Sequence, residues 1–478
     1  MTQQRDRDRS GGGRGPRNPR RGKRGLAKDQ LISTHDGGGG TSGGGSSKNL
    51  QGSSGEQGGQ SRRSKERRSR RGAGARRSGR RGADPRGRPP SRQRGRGTAG
   101  RARPEGEATL EVTGVLQIAS DGHGYLRSSD NDYNPSPSDP YVPRETLAEL
   151  ALDTGLEIQG MAIPGNRGQA APWLDQVRTV NGNDPTEWGG RTPFKDLVAE
   201  DPSERIRLES QADEVSTRVV DLITPIGKGQ RCLIVAPPKA GKTVLLQKMA
   251  ASISANHPEI HLIVLLVDER PEEVTDMRRS VHGEVVASSS DEMARNHVQV
   301  AEIVLERARR LVESKRDVVV LLDSITRLSR AYNTEQRGSG RVLSGGIDAR
   351  TMEKPRRFFG AARKVENGGS LTVIGTALVD TGSRMDEVIF QEFKGTGNTE
   401  IVMDRDLFDR RIFPSIDISQ SGTRKEEKLY SPTEYQKVVL LRRALAPLRP
   451  AEAMQLLISR LAKTKSNSDF LSGLSGGS

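Results

Sequence analysis

Cysteine occurs once in 478 residues, at Cys232, which excludes an internal disulfide and any zinc site built on cysteines. Phe, Trp and Tyr together make 3% of the chain, and none of them falls in residues 1–107. No apolar run approaches the ~20 residues that a membrane helix needs. No apolar segment follows the arginines at the start, so nothing there reads as a secretory signal. Solenoid-period repeats are missing too. These absences point to a soluble protein of a reducing compartment, with the cytoplasm as the expected location and no membrane partner. The lone Cys232 lies in an apolar run, where a small buried thiol is the ordinary explanation.

Charge is plentiful but uneven. Residues 1–107 hold 29 of the 77 Lys and Arg against 9 of the 61 Asp and Glu, a net of +20. The remainder holds 48 basic and 52 acidic residues, a net of −4, so the basic balance belongs to the tail. That tail is Arg, Gly, Ser, Gln and Pro, and it cannot bury enough apolar surface to offset its ordering entropy. Residues 1–107 are therefore expected to be a disordered Arg/Gly-rich tail suited to a sequence-tolerant electrostatic grip on nucleic acid.

From Thr109 the texture changes. Short strands are expected at 109–119, 121–127, 139–143, 155–163 and 173–180, separated by Gly and Pro, which suggests a small OB- or cold-shock-type β-barrel over 108–184. Residues 185–225 read as a connector, with 192–206 lying across the next domain. Apolar strands at 231–236, 261–269, 317–324 and 370–380 then alternate with helical stretches at 243–255, 291–314 and 350–364. That alternation predicts an α/β domain over 226–470 with a parallel sheet covered on both faces. Helices are expected at 433–446 and 450–465, and a flexible C-terminus over 471–478.

The stretch that organises this domain is RCLIVAPPKAGKTVLLQKM, 231–249. A strand, a loop ending Gly241-Lys242-Thr243 and a helix from Val244 fit a phosphate-binding P-loop. Backbone N–H groups and the helix N-terminus would face phosphate, Lys242 would reach the β- and γ-phosphates, and the Thr243 hydroxyl would hold Mg²⁺. Ala236 stands where the generic pattern has Gly, and a plain helix cap is the alternative. Ligands of parallel α/β domains sit at the C-terminal ends of strands. Asp268, Glu269 and Arg270 close VLLV, and Asp323 closes VVVLL as the carboxylate for Mg²⁺. Glu269 is then the candidate to polarise the attacking water.

The strings APPKAGKT (236–243), VDERPEEVTDM (267–277), GEVVASSSDE (283–292), LLDSITRLSRAYN (321–333) and SGTRKEE (421–427), in this order, resemble the Rho family of bacterial transcription termination factors. The likeness runs from about Thr109 to about Phe470, and Ala-Pro-Pro is the family's own P-loop opening. The resemblance implies a RecA-like ATPase using ATP and Mg²⁺. It implies a homohexameric ring that translocates 5′-to-3′ on single-stranded RNA as a helicase. Such a ring dislodges transcripts from RNA polymerase and works with elongation factors.

Carried over by that resemblance, Lys239, Ala240, Gly241, Lys242, Thr243 and Val244 bind phosphate and Mg²⁺. Gly227, Lys228, Gly229, Gln230, Arg231 and Cys232 line the nucleotide. Glu269 is similar to the catalytic glutamate, Arg270 to a phosphate-sensing arginine, and Arg424 to an arginine finger inserted into the neighbouring site. Arg411 and Lys394 belong near the same interface. In the barrel, Gly122, His123, Gly124, Tyr125, Leu126 and Arg127 resemble the RNP1-like strand on which bases stack, with His123 at a position where the family has Phe. Arg127, Asp139, Pro140 and Tyr141 fit the pyrimidine pocket. Its other wall falls at Gln169, Ala170 and Ala171 in place of Glu-Arg-Tyr, with Trp173 as a substitute ring. The pore-facing loops correspond to Arg341, Val342, Leu343, Ser344, Gly345 and Gly346, and to Arg384 in DTGSR (380–384), with arginine where lysine is common in the family. The family's three-helix lead-in has no counterpart in 1–107, where the tail would serve as an extra RNA tether.

Two other classes fit parts of the pattern: a rotary ATP-synthase subunit, and a non-catalytic RNA-binding protein on a relic ATPase fold. The RNP1-like barrel and SGTRKEE weigh against the first. The intact set Lys242, Thr243, Glu269, Asp323 and Arg424 weighs against the second.

Overall fold

The structure is a computed structural model that describes residues 103–104, 106–165, 171–335, 346–347 and 350–474. The tail up to 102, and with it the RNA-tether expectation, lies outside the described residues.

Strands β1 (Leu110–Ile118), β2 (Gly124–Arg127), β3 (Tyr141–Val142), β4 (Glu157–Ile163) and β5 (Trp173–Val180) close a barrel in the order β1-β2-β3-β5-β4. Alternation along β1 sends Val112 and Leu116 into the barrel core with Leu126, Val142, Ile158 and Leu174. Val115, one residue out of phase, packs on the ATPase side with Tyr133. A short helix α1 (Arg144–Glu149) links β3 to β4. Ahead of the expected boundary at 108, Arg103 already pairs with Asp175 of the barrel at 2.5 Å, and at the boundary Ala108 packs against the Tyr141, Ile163 and Trp173 group.

The expected connector is largely built into its neighbours. Helix α2 (Pro185–Trp188) puts Trp188 into the barrel core. Phe194 is buried against the ATPase helices, its N–H donating to Glu313 at 2.6 Å. Strand β6 (Ala199–Glu200) and strand β7 (Arg205–Ile206) each pair with an ATPase strand. Helix α3 (Val215–Ile223) carries Val219, Val220, Leu222 and Ile223 into the ATPase core, so that domain begins well before 226.

Strands β8 (Ile226–Gly227), β9 (Arg231–Ala236), β10 (His261–Glu269), β11 (Glu284–Ser289), β12 (Asp317–Asp323), β13 (Arg363–Val365), β14 (Ser370–Leu378), β15 (Thr399–Val402) and β16 (Gly422–Thr423) follow. The main sheet runs β11-β10-β12-β14-β9-β15-β16, parallel from β11 to β15. The uninterrupted apolar runs are explained by two covered faces. In β10, Leu262, Val264 and Leu266 join one core while Ile263, Leu265 and Val267 join the other.

Helices α4 (Lys242–Asn256) and α5 (Pro271–Ser280) cover the first face, and α6 (Ala294–Glu313), α7 (Ile325–Glu335), α8 (Glu353–Phe359) and α9 (Arg384–Lys394) the second. Helix α4 buries Leu245, Leu246, Met249, Ala250 and Ile253, a stripe at helical spacing. The helix expected over 350–364 is only α8, because Gly360 ends it and β13 follows. Helices α10 (Arg405–Asp409), α11 (Pro432–Leu445), α12 (Pro450–Leu461) and α13 (Asn467–Ser472) complete the chain. Phe470 and Leu471 of α13 are core residues, so the fold extends past 470 into the segment expected to be flexible. No helix among the described residues is long and apolar enough to cross a membrane.

The barrel docks on the open edge of the main sheet. Asp132 accepts from the Ala287 N–H of β11 at 2.8 Å and from Arg278 at 2.6 Å. The Tyr133 hydroxyl donates to Glu284, which also accepts from Arg307 at 2.9 Å and pairs with His261 at 2.9 Å. Arg307 in turn donates to Glu157 of the barrel at 2.8 Å. Burial alone would raise Glu284, but the bonds from His261, Arg307 and Tyr133 pull it down to about 2. A carboxylate depressed in the fold adds stability above its unfolded value, and that contribution drains away as pH falls toward the folded one. Glu284→Gln is therefore expected to lower neutral-pH stability by up to about 3 kcal/mol and to flatten the loss of stability between about pH 4.5 and 2. Denaturant unfolding at stepped pH measures both.

Candidate functional site

The loop after β9 turns through two left-handed residues, Lys239 at φ 63° and Gly241 at φ 86°. A Cβ at Gly241 would lie 3.4 Å from the Phe408 ring in a conformation that side chains disfavour, so glycine is required there. Ser415 Oγ donates to the Ala240 carbonyl at 2.5 Å and pins the turn. No side chain caps α4, which leaves its first N–H groups directed at the loop.

Lys242 Nζ lies 3.1 Å from Glu269 Oε1 and 2.5 Å from Asp323 Oδ1. Both carboxylates are almost wholly buried, with side chains 3% and 2% exposed. Thr376 Oγ1 donates to Asp323 at 2.7 Å from β14, which separates β12 from β9. Burial and the adjacent Asp323 charge push Glu269 above the ordinary carboxylate range, against the pull of Lys242 and Arg327. Burial would lower Lys242, yet Asp323 and Glu269 hold it above its usual value.

A bulge decides which acid faces the site. The β10–β11 register skips between Val267 and Glu269, with Asp268 at φ 55°. Asp268 is thereby turned outward, 40% exposed, and Glu269 inward. Sequence reasoning missed Arg327, on the first turn of α7, which stands 3.5 Å from both Asp268 and Glu269. Its signal was its place four residues after Asp323.

Also missed was an apolar cleft of about 290 Å³ beside the loop, lined by Gly241, Val244, Leu245, Phe408 and Phe413. Phe413 is 46% exposed, and its ring meets Phe408 edge-on at 5.4 Å. An exposed aromatic in a loop leaves no periodic trace. Arg411 lies at φ 61° with its guanidinium 5.7 Å from the Phe408 ring, and Lys394 is 5.6 Å from the Phe390 ring.

Several expected residues lie elsewhere. Arg270 points outward, 68% exposed, and only approaches Glu273 at 3.9 Å. Gly227 to Cys232 sit at the start of β9, the end opposite the loop, so they do not line this chain's own phosphate site as expected. There Lys228 bonds Asp317 at 2.7 Å, Gly229 N–H bonds Thr372, Gln230 bonds Asn398, and Arg231 bonds the Thr396 carbonyl. Cys232 is fully buried, and burial pushes its thiol up. Arg424 is at this same far end, its N–H donating to the Asn398 carbonyl at 2.8 Å. Its side chain is exposed and has no ion pair or hydrogen-bond partner among the described residues.

On the barrel, parallel pairing sets Tyr141 opposite Trp173 with ring centroids 4.8 Å apart. The His123 ring lies 5.1 Å from Tyr141, its Nδ1 hydrogen-bonded to the Tyr141 hydroxyl, and Tyr125 lies 5.8 Å away edge-on. These four rings form one cluster outside the barrel core, as two of them pack with Ile163 in a separate group. Arg127 forms a buried pair with Asp139, donates from Nε to Gln117 Oε1 at 2.7 Å, and lies 5.2 Å from the Tyr125 ring. Gly122, Gly124, Leu126 and Pro140 carry this strand-and-turn framework; Gln169 and Ala170 lie outside the described residues, and Ala171 is half-buried.

Arg341 to Gly345 also lie outside the described residues. Gly346 is held by Asn333 at 3.3 Å. Arg384 opens α9 and is exposed. Behind it Asp386 accepts from Arg330 at 2.8 and 2.6 Å and from Thr381 at 2.6 Å. That bond ties the 380–384 loop to α7, the helix that follows Asp323.

Two family models match the chain: the Rho termination factor RNA-binding domain over 112–186 and the ATP synthase alpha/beta family nucleotide-binding domain over 216–423. A protein named transcription termination factor Rho from Cereibacter sphaeroides is 54% identical over 364 residues, covering 76% of this chain and 86% of its own. Those from Pseudomonas aeruginosa, at 52% over 76% of this chain and 87% of theirs, and Haemophilus influenzae, at 53% over 75% and 86%, are similar. This chain belongs to the Rho family. As a Rho-family protein it is an RNA-binding, ATP-dependent transcription termination factor whose ATPase domain binds and hydrolyses ATP. A type III secretion system ATPase, 20% identical, superposes with a TM-score of 0.51 over 65% of this chain and 92% of its own, which reflects the shared fold. The Rho assignment accounts for both halves, the aromatic barrel face and the phosphate loop.

Proposed function

We propose that this chain acts in the cytoplasm as a ring of six copies that draws single-stranded RNA through its centre, 5′ to 3′, and unwinds or strips the transcript from RNA polymerase. ATP is hydrolysed in clefts between adjacent copies. The observation that carries this reading is the position of Arg424. It is tied to Asn398 at the start of β15, whereas the phosphate loop follows the end of β9. The six residues of β9 span about 20 Å, beyond the reach of one side chain. An exposed arginine so placed, with no side-chain partner among the described residues, lies out of reach of its own phosphate loop and is free to meet a neighbour's site.

In this reading the loop N–H groups and Lys242 bind the phosphates, drawing Lys242 away from Glu269 and Asp323. The purine ring lies against Phe413 in the apolar cleft. Thr243 and Asp323 would hold Mg²⁺, which when bound neutralises phosphate charge. The donor set suits it: a hydroxyl and a carboxylate are hard oxygen donors, and substrate phosphates would supply others. Glu269 orients the attacking water. Gly227 to Arg231, beside Arg424, contribute from the adjacent copy, and the Arg330–Asp386 bond links hydrolysis to Arg384 on RNA. Upstream RNA stacks on His123 and Tyr125, the partly exposed rings of the cluster, with the buried Tyr141 and Trp173 supporting them from beneath, each stacked base adding ~1–3 kcal/mol.

The test is ATP hydrolysis with and without cytosine-rich RNA, run beside unwinding of an RNA duplex with a 5′ or a 3′ single-stranded extension. Strong stimulation, and unwinding from the 5′ extension only, are expected. RNA-indifferent turnover, or full turnover by a monomer, overturns the reading.

A further inference from the structure

The loop that presents Arg424 is held unusually firmly for a surface segment. On one side Thr423 Oγ1 donates to the Pro225 carbonyl at 2.8 Å and accepts from Thr399 at 3.2 Å. On the other side the chain turns through Lys425 at φ 56°, a left-handed conformation uncommon for a side-chain-bearing residue. Arg424 is thus fixed at its backbone while its side chain extends freely.

What holds Lys425 comes from a distant part of the sequence. Its Nζ donates to both carboxylate oxygens of Asp201, at 3.0 and 2.8 Å, and Lys428 Nζ donates to the same carboxylate at 2.7 Å. The bonds from these two lysines hold Asp201 down at about 2, so it stays ionised at any working pH. Asp201 directly follows β6, which pairs with β13, and Glu204 three residues on bonds Lys364 at 2.5 Å. The carboxylate is therefore itself anchored to the ATPase sheet, within the segment that leads out of the RNA-binding barrel. Exposed ion pairs contribute little to global stability, which leaves the placement of this loop as their effect.

We propose that Asp201 is a positioning residue for ATP hydrolysis: it clamps Lys425 and Lys428 and so fixes Arg424 in the orientation that meets the neighbouring copy's nucleotide. This rests on the reading of Arg424 as acting across the subunit boundary. It adds that the segment joining barrel to motor controls that arginine directly. A shift of this segment would withdraw the arginine without disturbing the phosphate loop.

The experiment is steady-state ATP hydrolysis by the full-length protein at saturating RNA. Asp201→Ala is expected to lower kcat about tenfold with KM for ATP within about twofold and an unchanged melting temperature. Asp201→Glu should restore most of the rate. In the Arg424→Ala background, Asp201→Ala should cost nothing more, because the group it positions is gone. Wild-type kcat in Asp201→Ala, or a loss that multiplies on top of Arg424→Ala, overturns the proposal. Failure of the underlying reading is separately visible, as Arg424→Ala would then itself turn over at the wild-type rate.

Discussion

Glu269→Gln is expected to cut RNA-stimulated ATP turnover by about 10²–10⁴-fold while leaving ATP binding intact. The amide keeps the shape and the oxygen that accepts from Lys242, but it cannot polarise water. Folding is spared, since the substitution removes one of two buried carboxylates that already disfavour each other, and Asp323 still holds Lys242. Lys242→Ala makes the contrast. It strips the ammonium that meets both acids, leaving two buried charges poorly compensated, so nucleotide binding itself should fail. Equilibrium binding of a fluorescent ATP analogue, beside multiple-turnover hydrolysis, separates the two variants. A Glu269→Gln protein that turns over within about tenfold of the parent would remove Glu269 from the role of base.

The second large effect belongs to Arg424→Ala, for which a loss of about 10³–10⁵ in kcat is expected. A guanidinium meeting charge on the transferred phosphoryl is worth that much, and little else depends on this side chain. It is exposed and unpartnered among the described residues, so thermal stability should not change. Its diagnostic is complementation. In a ring mixed from Arg424→Ala and Glu269→Gln subunits, some clefts receive an intact glutamate from one copy and an intact arginine from the next. Turnover should therefore rise above that of either pure ring, with a maximum near equal proportions. Mixed rings as inactive as the pure ones at every ratio would place arginine and glutamate in one chain's site.

Much of the ATPase domain is legible in the sequence. The runs at 231–236 and 261–269 match β9 and β10 end to end, because strands buried on both faces are uninterrupted and bounded by charge or Pro. Short partly polar strands left no comparable trace. β15, TEIV, and β11, EVVASS, are strands because neighbours pair with them. The connector was opaque for the same reason: β6 and β7 are two residues each and exist only through their partners. At the site, Lys242, Thr243 and Asp323 announce themselves by spacing. The choice of Glu269 over Asp268 depends on a bulge, and Arg327 and Phe413 depend on tertiary approach, which spacing does not encode. Arg424 was legible only through SGTRKEE, since alone it is one more surface charge. Strand polarity puts Gly227 to Cys232 at the end of β9 opposite this chain's own phosphate loop, a separation that the sequence order alone does not display.

The outermost strand β11 leaves a row of backbone donors and acceptors on its unpaired side, and Asp132 and Tyr133 of the barrel cover it. Natural sheets seldom tolerate such a border bare, because it templates pairing with foreign chains. The barrel is therefore a lid on a sticky seam as well as a reader of transcripts. An ATPase domain trimmed free of it would carry an adhesive flank into every encounter with its own kind.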